Sequence, residues 1–157
     1  MRLRDAAEAL REPRFAWYFA ATIVRRTGAS MTGVALAFAV LHVSNAPDAL
    51  AGVLAVYMTA NVLFVLLGGV IADRFSRVLV IQACAAASAV IQGTVAVLVI
   101  TGRAEIWHLV ALEGVGGAVD AFWMPASVGI VPLIVRAEHV QQANALLSFV
   151  RSTIQIA

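Results

Sequence analysis

Charge stands at two kinds of place in this sequence where it could do chemistry. The first is Gly68-Gly69-Val70-Ile71-Ala72-Asp73-Arg74-Phe75-Ser76-Arg77, a short acidic and basic break between two apolar runs. Asp73 follows Gly69 by four residues, so on a helix the two share a face, and a glycine there permits close helix contact. A carboxylate at that position can pair with an arginine or meet the positive end of a helix dipole, while Arg74 and Arg77 can pair with acids or lipid phosphates. The segment therefore reads either as a polar latch or as a pair of topology anchors. The second kind of place lies inside apolar runs: Arg25, Arg26, Glu113, Asp120 and Arg151. A charge at the bilayer centre costs at least ~2.5–3.5 kcal/mol on insertion scales, so each must face other helices or water and have a partner. Glu113 and Asp120 are seven residues apart and share a helix face. They either contact substrate or protons, or only neutralise the arginines.

Those residues must be carried by membrane helices. The chain is 62% hydrophobic and 13% charged, with a mean hydropathy of +0.91, against about 45–50% and about 25% for soluble domains. A chain of 157 residues cannot bury that much apolar surface in its own core, so lipid is the solvent for much of it. A net charge of +2, all of its basic residues arginine, is too small and too scattered for a nucleic-acid partner. The single cysteine, Cys84, excludes a disulfide framework and multi-cysteine metal or redox motifs. No HExxH, CxxC or GxSxG occurs, and Gly114, Gly116 and Gly117 lie in an apolar helix instead of a phosphate loop. Neither an enzyme, a cofactor nor a metal site is expected.

A spanning helix needs roughly 17–25 mainly apolar residues. The expected fold is all-α: a polytopic bundle with a cytoplasmic lead over 1–14 and spans over about 15–41, 50–72, 78–100 and 106–135, with a fifth over 141–157 that is still running when the chain stops. Short breaks favour antiparallel neighbours. Arg2, Arg4, Arg11, Arg14, Arg74, Arg77 and Arg136 fall on one side of this alternation and only Arg103 on the other, which puts the N-terminus in the cytoplasm. At 1.5 Å per residue, Arg25 and Arg26 lie about 15–16 Å into the first span, Asp120 about 21 Å and Glu113 about 10 Å into the fourth, and Arg151 about 15 Å into the fifth. Similar depth suggests a contact of Arg26, or alternatively Arg25, with Asp120. Trp17, Tyr18 and Trp107 suit the interfacial aromatic belt, and His42 and His108 fall near the outer span ends.

The charged break resembles the signature between the second and third helices of major facilitator superfamily transporters, Gly-x-x-x-Asp-Arg-x-Gly-Arg. Gly69, Asp73, Arg74 and Arg77 match it, Ser76 replaces the second glycine, and Val78 replaces a frequent basic residue. Phe122-Trp123-Met124-Pro125-Ala126, and Val131-Pro132 through Gln142-Ala143-Asn144-Ala145-Leu146, are similar to the end of the fourth helix and start of the fifth in the macrolide-efflux and enterobactin-exporter branch. The resemblance lays the chain along the first four and a half helices of a fold with twelve helices in two halves, which moves by alternating access around a cavity at the midplane. It implies a gating latch at Gly69, Asp73, Arg74 and Arg77 and helix packing at Phe122, Pro125, Ala126 and Asn144, with Arg136 a candidate latch contact. It also implies export of drug-like or other small organic compounds from the bacterial plasma membrane, with the proton as a candidate coupling ion. The branch carries Gly-Pro-x-x-Gly-Gly about where this chain stops at Ala157, so an N-terminal fragment that needs the rest of the transporter is expected. The other reading is a small helical membrane protein that assembles through its helices without transport.

Overall fold

The computed structural model describes residues 10–44 and 47–156. Most of the expected cytoplasmic lead, with Arg2 and Arg4, lies outside the described residues. The fold is all-α, and no strand occurs among the described residues. The helices are α1 (Pro13–Val43), α2 (Pro47–Arg74), α3 (Arg77–Ile100), α4 (Ile106–Val128), the single turn α5 (Val131–Ile134), and α6 (Val140–Ile156), which a 3-10 turn at Ala137–His139 precedes.

Local chemistry sets the breaks. Only Phe75 and Ser76 separate α2 from α3. The α3 helix ends in a Schellman arrangement: Arg103 N–H donates to the Leu98 carbonyl (3.0 Å) and Gly102 N–H to that of Val99 (3.1 Å). Gly102 takes a left-handed φ of 67° there, a conformation that glycine adopts without a Cβ penalty. The segment expected to be one span over 106–135 is helical only to Val128. Pro132 lacks the N–H that would bond the Val128 carbonyl, and Val135 and Arg136 are extended (ψ 144° and 147°). Helix resumes at Val140, one residue before the expected start.

Among the described residues, two helices are long and apolar enough to cross a membrane on their own: Asp48–Ile71 of α2 and Arg77–Ile100 of α3, with mean hydropathies of 2.2 and 2.1. The helices α1 and α4 carry Arg25, Arg26, Glu113 and Asp120, which lower their hydropathy. Large apolar side chains such as Val62, Leu63, Leu66, Val90, Val97 and Ile100 are exposed, as lipid-facing surfaces are.

The chain forms two compact units, one of residues 1–35 with 129–157 and the other of Leu36–Val128. In the second, α4 packs against both α2 and α3. One apolar cluster joins Leu36, Ala39 and Val40 of α1 to Val53, Val95 and Leu109. Another, nearer the α2–α3 corner, gathers Ile71, Val80, Cys84, Phe122, Trp123 and Ala126. In the first unit Phe15, Ile130, Val131, Val135 and Ala143 are buried.

Candidate functional site

The α2–α4 seam of the second unit is where half-buried polar groups meet. Tyr57, Asn61, Phe64 and Gly68 recur at i, i+4, i+7 and i+11 on one face of α2. A Cβ at Gly68 would collide with the Ala121 backbone carbonyl, and one at Gly117 with that of Tyr57, so the two helices touch backbone to backbone. The Ala121 contact has a local cause. Pro125 lies inside α4 and has no N–H to donate to the carbonyl four residues earlier, which is that of Ala121. Between these contacts, Asn61 Nδ2 donates to the Gly117 carbonyl (3.0 Å) and the Tyr57 hydroxyl donates to Asp120 Oδ2 (2.7 Å). The Phe64 and Phe122 rings stand 6.1 Å apart. On the α3 side, Gln92 Nε2 reaches Glu113 Oε1 at 3.4 Å, and Glu113 is only 5% exposed.

Glu113 and Asp120 thus face different neighbours of α4, Gln92 on α3 and Tyr57 on α2, partners that the apolar runs alone do not reveal. Tyr57, Asn61 and Gln92 carry the signal that could have found them: polar side chains in membrane-length runs, two of them four residues apart. Ala126 is fully buried and Phe122 packs in the cluster nearest the α2–α3 corner. On α6, Asn144 is exposed while its neighbour Ala143 is fully buried, so Ala143 supplies the packed small residue.

The charged break occupies the α2–α3 corner. Asp73 and Arg74 are exposed, and Arg77 is half-buried. Their side chains make no hydrogen bond or ion pair among the described residues. Nothing lies within 4 Å of a Cβ placed on Gly69, so of the two glycines that could permit close helix contact it is Gly68 that makes it.

Two charged groups occur among the described residues of the first unit. At one, Glu12 Oε1 accepts from the Arg136 backbone N–H (3.2 Å) and lies 3.1 Å from His139 Nδ1. An ionised carboxylate only accepts, so Nδ1–H is the donor. That bond, outweighing desolvation and aided by the Arg136 N–H, holds the Glu12 carboxyl below the ordinary carboxylate range. The Arg136 guanidinium meets Glu138 at 3.4 Å, both exposed, a pair worth little in water. In the other group, Arg26 of α1 lies within electrostatic reach of Arg25 and of Arg151 on α6. No group of three or more metal-ligating side chains occurs among the described residues.

A membrane-length α2 and α3 joined at the Asp73–Arg77 corner fit the superfamily signature, and comparison with known families decides the matter. The family model described as transmembrane secretion effector matches residues 6–154. The chain belongs to that family of major facilitator superfamily transporters. It is thereby an integral membrane protein of transporter type. Comparison with curated proteins and with solved structures returned no match. Membership in the transmembrane secretion effector family covers nearly the whole chain, with both charged groups of the first unit, the α2–α4 seam and the α2–α3 corner inside the matched range.

Proposed function

We propose that the chain supplies the first helices of a secondary active exporter of small organic compounds, similar to the macrolide-efflux and enterobactin-exporter branch, in the bacterial plasma membrane with its N-terminus in the cytoplasm. Gly69, Asp73, Arg74 and Arg77 act as a cytoplasmic latch between the two halves of such a transporter. A second bundle completes the cavity, so transport belongs to the whole unit. Arg25, Arg26, Glu113, Asp120 and Arg151 are its intramembrane charges, and protonation of the two acids would couple efflux to a proton gradient. Phe122, Pro125 and Ala126 serve helix packing.

The observation that carries this reading is the Asp73–Arg74 pair, left exposed at the corner of two membrane-length helices. Exposure there makes the pair available to a partner beyond the described residues. The test is a resistance and uptake panel with the complete gene in a host stripped of its own exporters. Lower accumulation of one or more compounds, abolished by Asp73→Asn at equal membrane level, supports the reading. Unchanged accumulation across the panel, or an active Asp73→Asn protein, overturns it.

A further inference from the structure

In the first unit, helices far apart in sequence bring like charges together. Arg26 on α1 and Arg151 on α6 lie within electrostatic reach of each other, and Arg25 adds a third positive charge. Like charges repel more strongly in a medium of low dielectric than in water, so apolar packing alone gives no reason for the arrangement. The Arg26 Nε–H is buried, and no described residue accepts from it. A buried donor without an acceptor costs about 1–3 kcal/mol, more on a charged group. Both features disappear as liabilities if a negative group sits there.

The shape of the donor narrows the choice. Guanidinium presents Nε–H and one terminal N–H as a planar fork that matches two oxygens of one oxyanion. In Arg26 the buried Nε–H of that fork meets no acceptor among the described residues. Phe19, Thr22 and Arg26 recur at i, i+3 and i+7 on one face of α1, and the Thr22 hydroxyl donates to the Tyr18 carbonyl at 2.8 Å. The face therefore carries an aromatic ring and a cationic fork, with the buried Thr22 hydroxyl, already bonded within α1, between them.

We propose that Arg26, with Arg151 beside it, binds the oxyanion of a small amphiphilic solute, a carboxylate, sulfonate or phosphate ester whose apolar part lies along α1. This rests on the transport reading and names the substrate class, with Arg26 as the specificity-determining residue.

The experiment uses the full chain in phosphatidylcholine nanodiscs. Equilibrium dialysis measures binding of 1-naphthalenesulfonate against its neutral isostere, 1-naphthalenesulfonamide. The sulfonate is expected to bind more tightly by about ten- to a hundredfold, the worth of a charge-assisted hydrogen bond. Arg26→Gln should erase that preference, Arg151→Gln should reduce it, and Arg26→Lys, which keeps the charge and loses the fork, should retain part. Sulfonamide binding and circular dichroism report folding, and Arg26→Lys keeps the test open if the glutamine variant does not fold. Equal binding of the two probes, or a folded Arg26→Gln protein that keeps its preference, overturns the proposal. A parallel arm in phosphatidylglycerol at constant ionic strength asks whether lipid headgroups occupy the site. Suppressed sulfonate binding there overturns a solute as occupant, and unchanged binding supports it. Counterflow of the sulfonate by the complete gene product separates the two readings. Arg26-dependent binding without counterflow speaks against transport and leaves the anion site standing, whereas efflux of other compounds without Arg26-dependent binding does the reverse.

Discussion

Replacing Gly68 and Gly69 one at a time by alanine should give opposite results, although the two are adjacent. A Cβ on Gly68 meets the Ala121 carbonyl oxygen, with the Phe122 Cα at 3.2 Å. These are backbone atoms that cannot rotate away, so α2 and α4 must part. Overpacking of this kind costs typically about 1–3 kcal/mol, and the rigid neighbour argues for the upper half of that range. Alanine returns up to about 1 kcal/mol through helix propensity, leaving Gly68→Ala destabilised by about 1–2 kcal/mol. Gly69 has nothing within 4 Å of its added Cβ, so Gly69→Ala keeps the propensity gain without the clash. The gap between neighbours should be about 2–3 kcal/mol. Unfolding in mixed dodecylmaltoside and dodecylsulfate micelles, followed by tryptophan fluorescence, reads it. Equal costs for the two alanines, or a silent Gly68→Ala, would refute a rigid contact between Gly68 and the Ala121 carbonyl.

The remaining predictions address the seam, the α3 turn and the N-terminal contact. Asn61→Leu removes the donor to the Gly117 carbonyl and should cost about 0.6 kcal/mol, at most about 1.7, the measured range for interhelical hydrogen bonds in membranes; the same micelle titration would contradict this by showing no shift. Gly102→Ala forces a Cβ into a left-handed φ of 67° and should cost about 1–2 kcal/mol, whereas an unchanged unfolding midpoint would show that the turn relaxes to another conformation. Glu12 should make stability pH-dependent. Its carboxyl is held below its ordinary 4.5, and a depressed acid stabilises fully above its unfolded value and loses that contribution as pH falls through its folded one. The thermal midpoints of the native protein and Glu12→Gln should therefore differ above pH 4.5 and converge on further acidification; curves parallel through that window would remove Glu12 from the account.

The helical class was legible because apolar runs of membrane length leave the backbone no other way to satisfy its hydrogen bonds. The α2–α3 corner was legible too, since Asp73, Arg74 and Arg77 interrupt two such runs. The end of α4 was not, because Ile130, Val131, Leu133 and Ile134 keep the sequence apolar on both sides of Pro132, past the helix end at Val128. The partners of Glu113 and Asp120 were hidden for another reason. Depth along a span placed Asp120, but which side chain meets it depends on how far α2 slides along α4. Gly68 and Gly117 set that offset by allowing backbone contact, and only then does Tyr57 fall opposite Asp120 and Asn61 opposite Gly117. Small residues four apart were visible in the sequence, but an alanine-rich chain offers many such pairs. Nothing in the spacing alone distinguishes Gly68, which is in contact, from Gly69, which is not.

That distinction bears on how the corner could work. Asp73 follows Gly68 by five residues, about 7.5 Å along α2, so the last fixed point of α2 against α4 lies just inside the charged break. Beyond it, Gly69 faces open space, and Asp73 and Arg74 are exposed. A latch needs this combination: an anchor that holds the helix in place and, immediately after it, a surface left free for another partner. The two adjacent glycines then have separable roles. Gly68 seats α2 on the carbonyl that Pro125 leaves without its usual donor. On the latch proposed above, Gly69 leaves the face of Asp73 clear for a partner beyond the described residues. If so, Gly69→Ala should leave stability intact and still impair efflux by the complete transporter, while Gly68→Ala should lower both together. An equal loss of efflux and stability at Gly69 would reduce that glycine to packing and leave Asp73 and Arg74 to act without it.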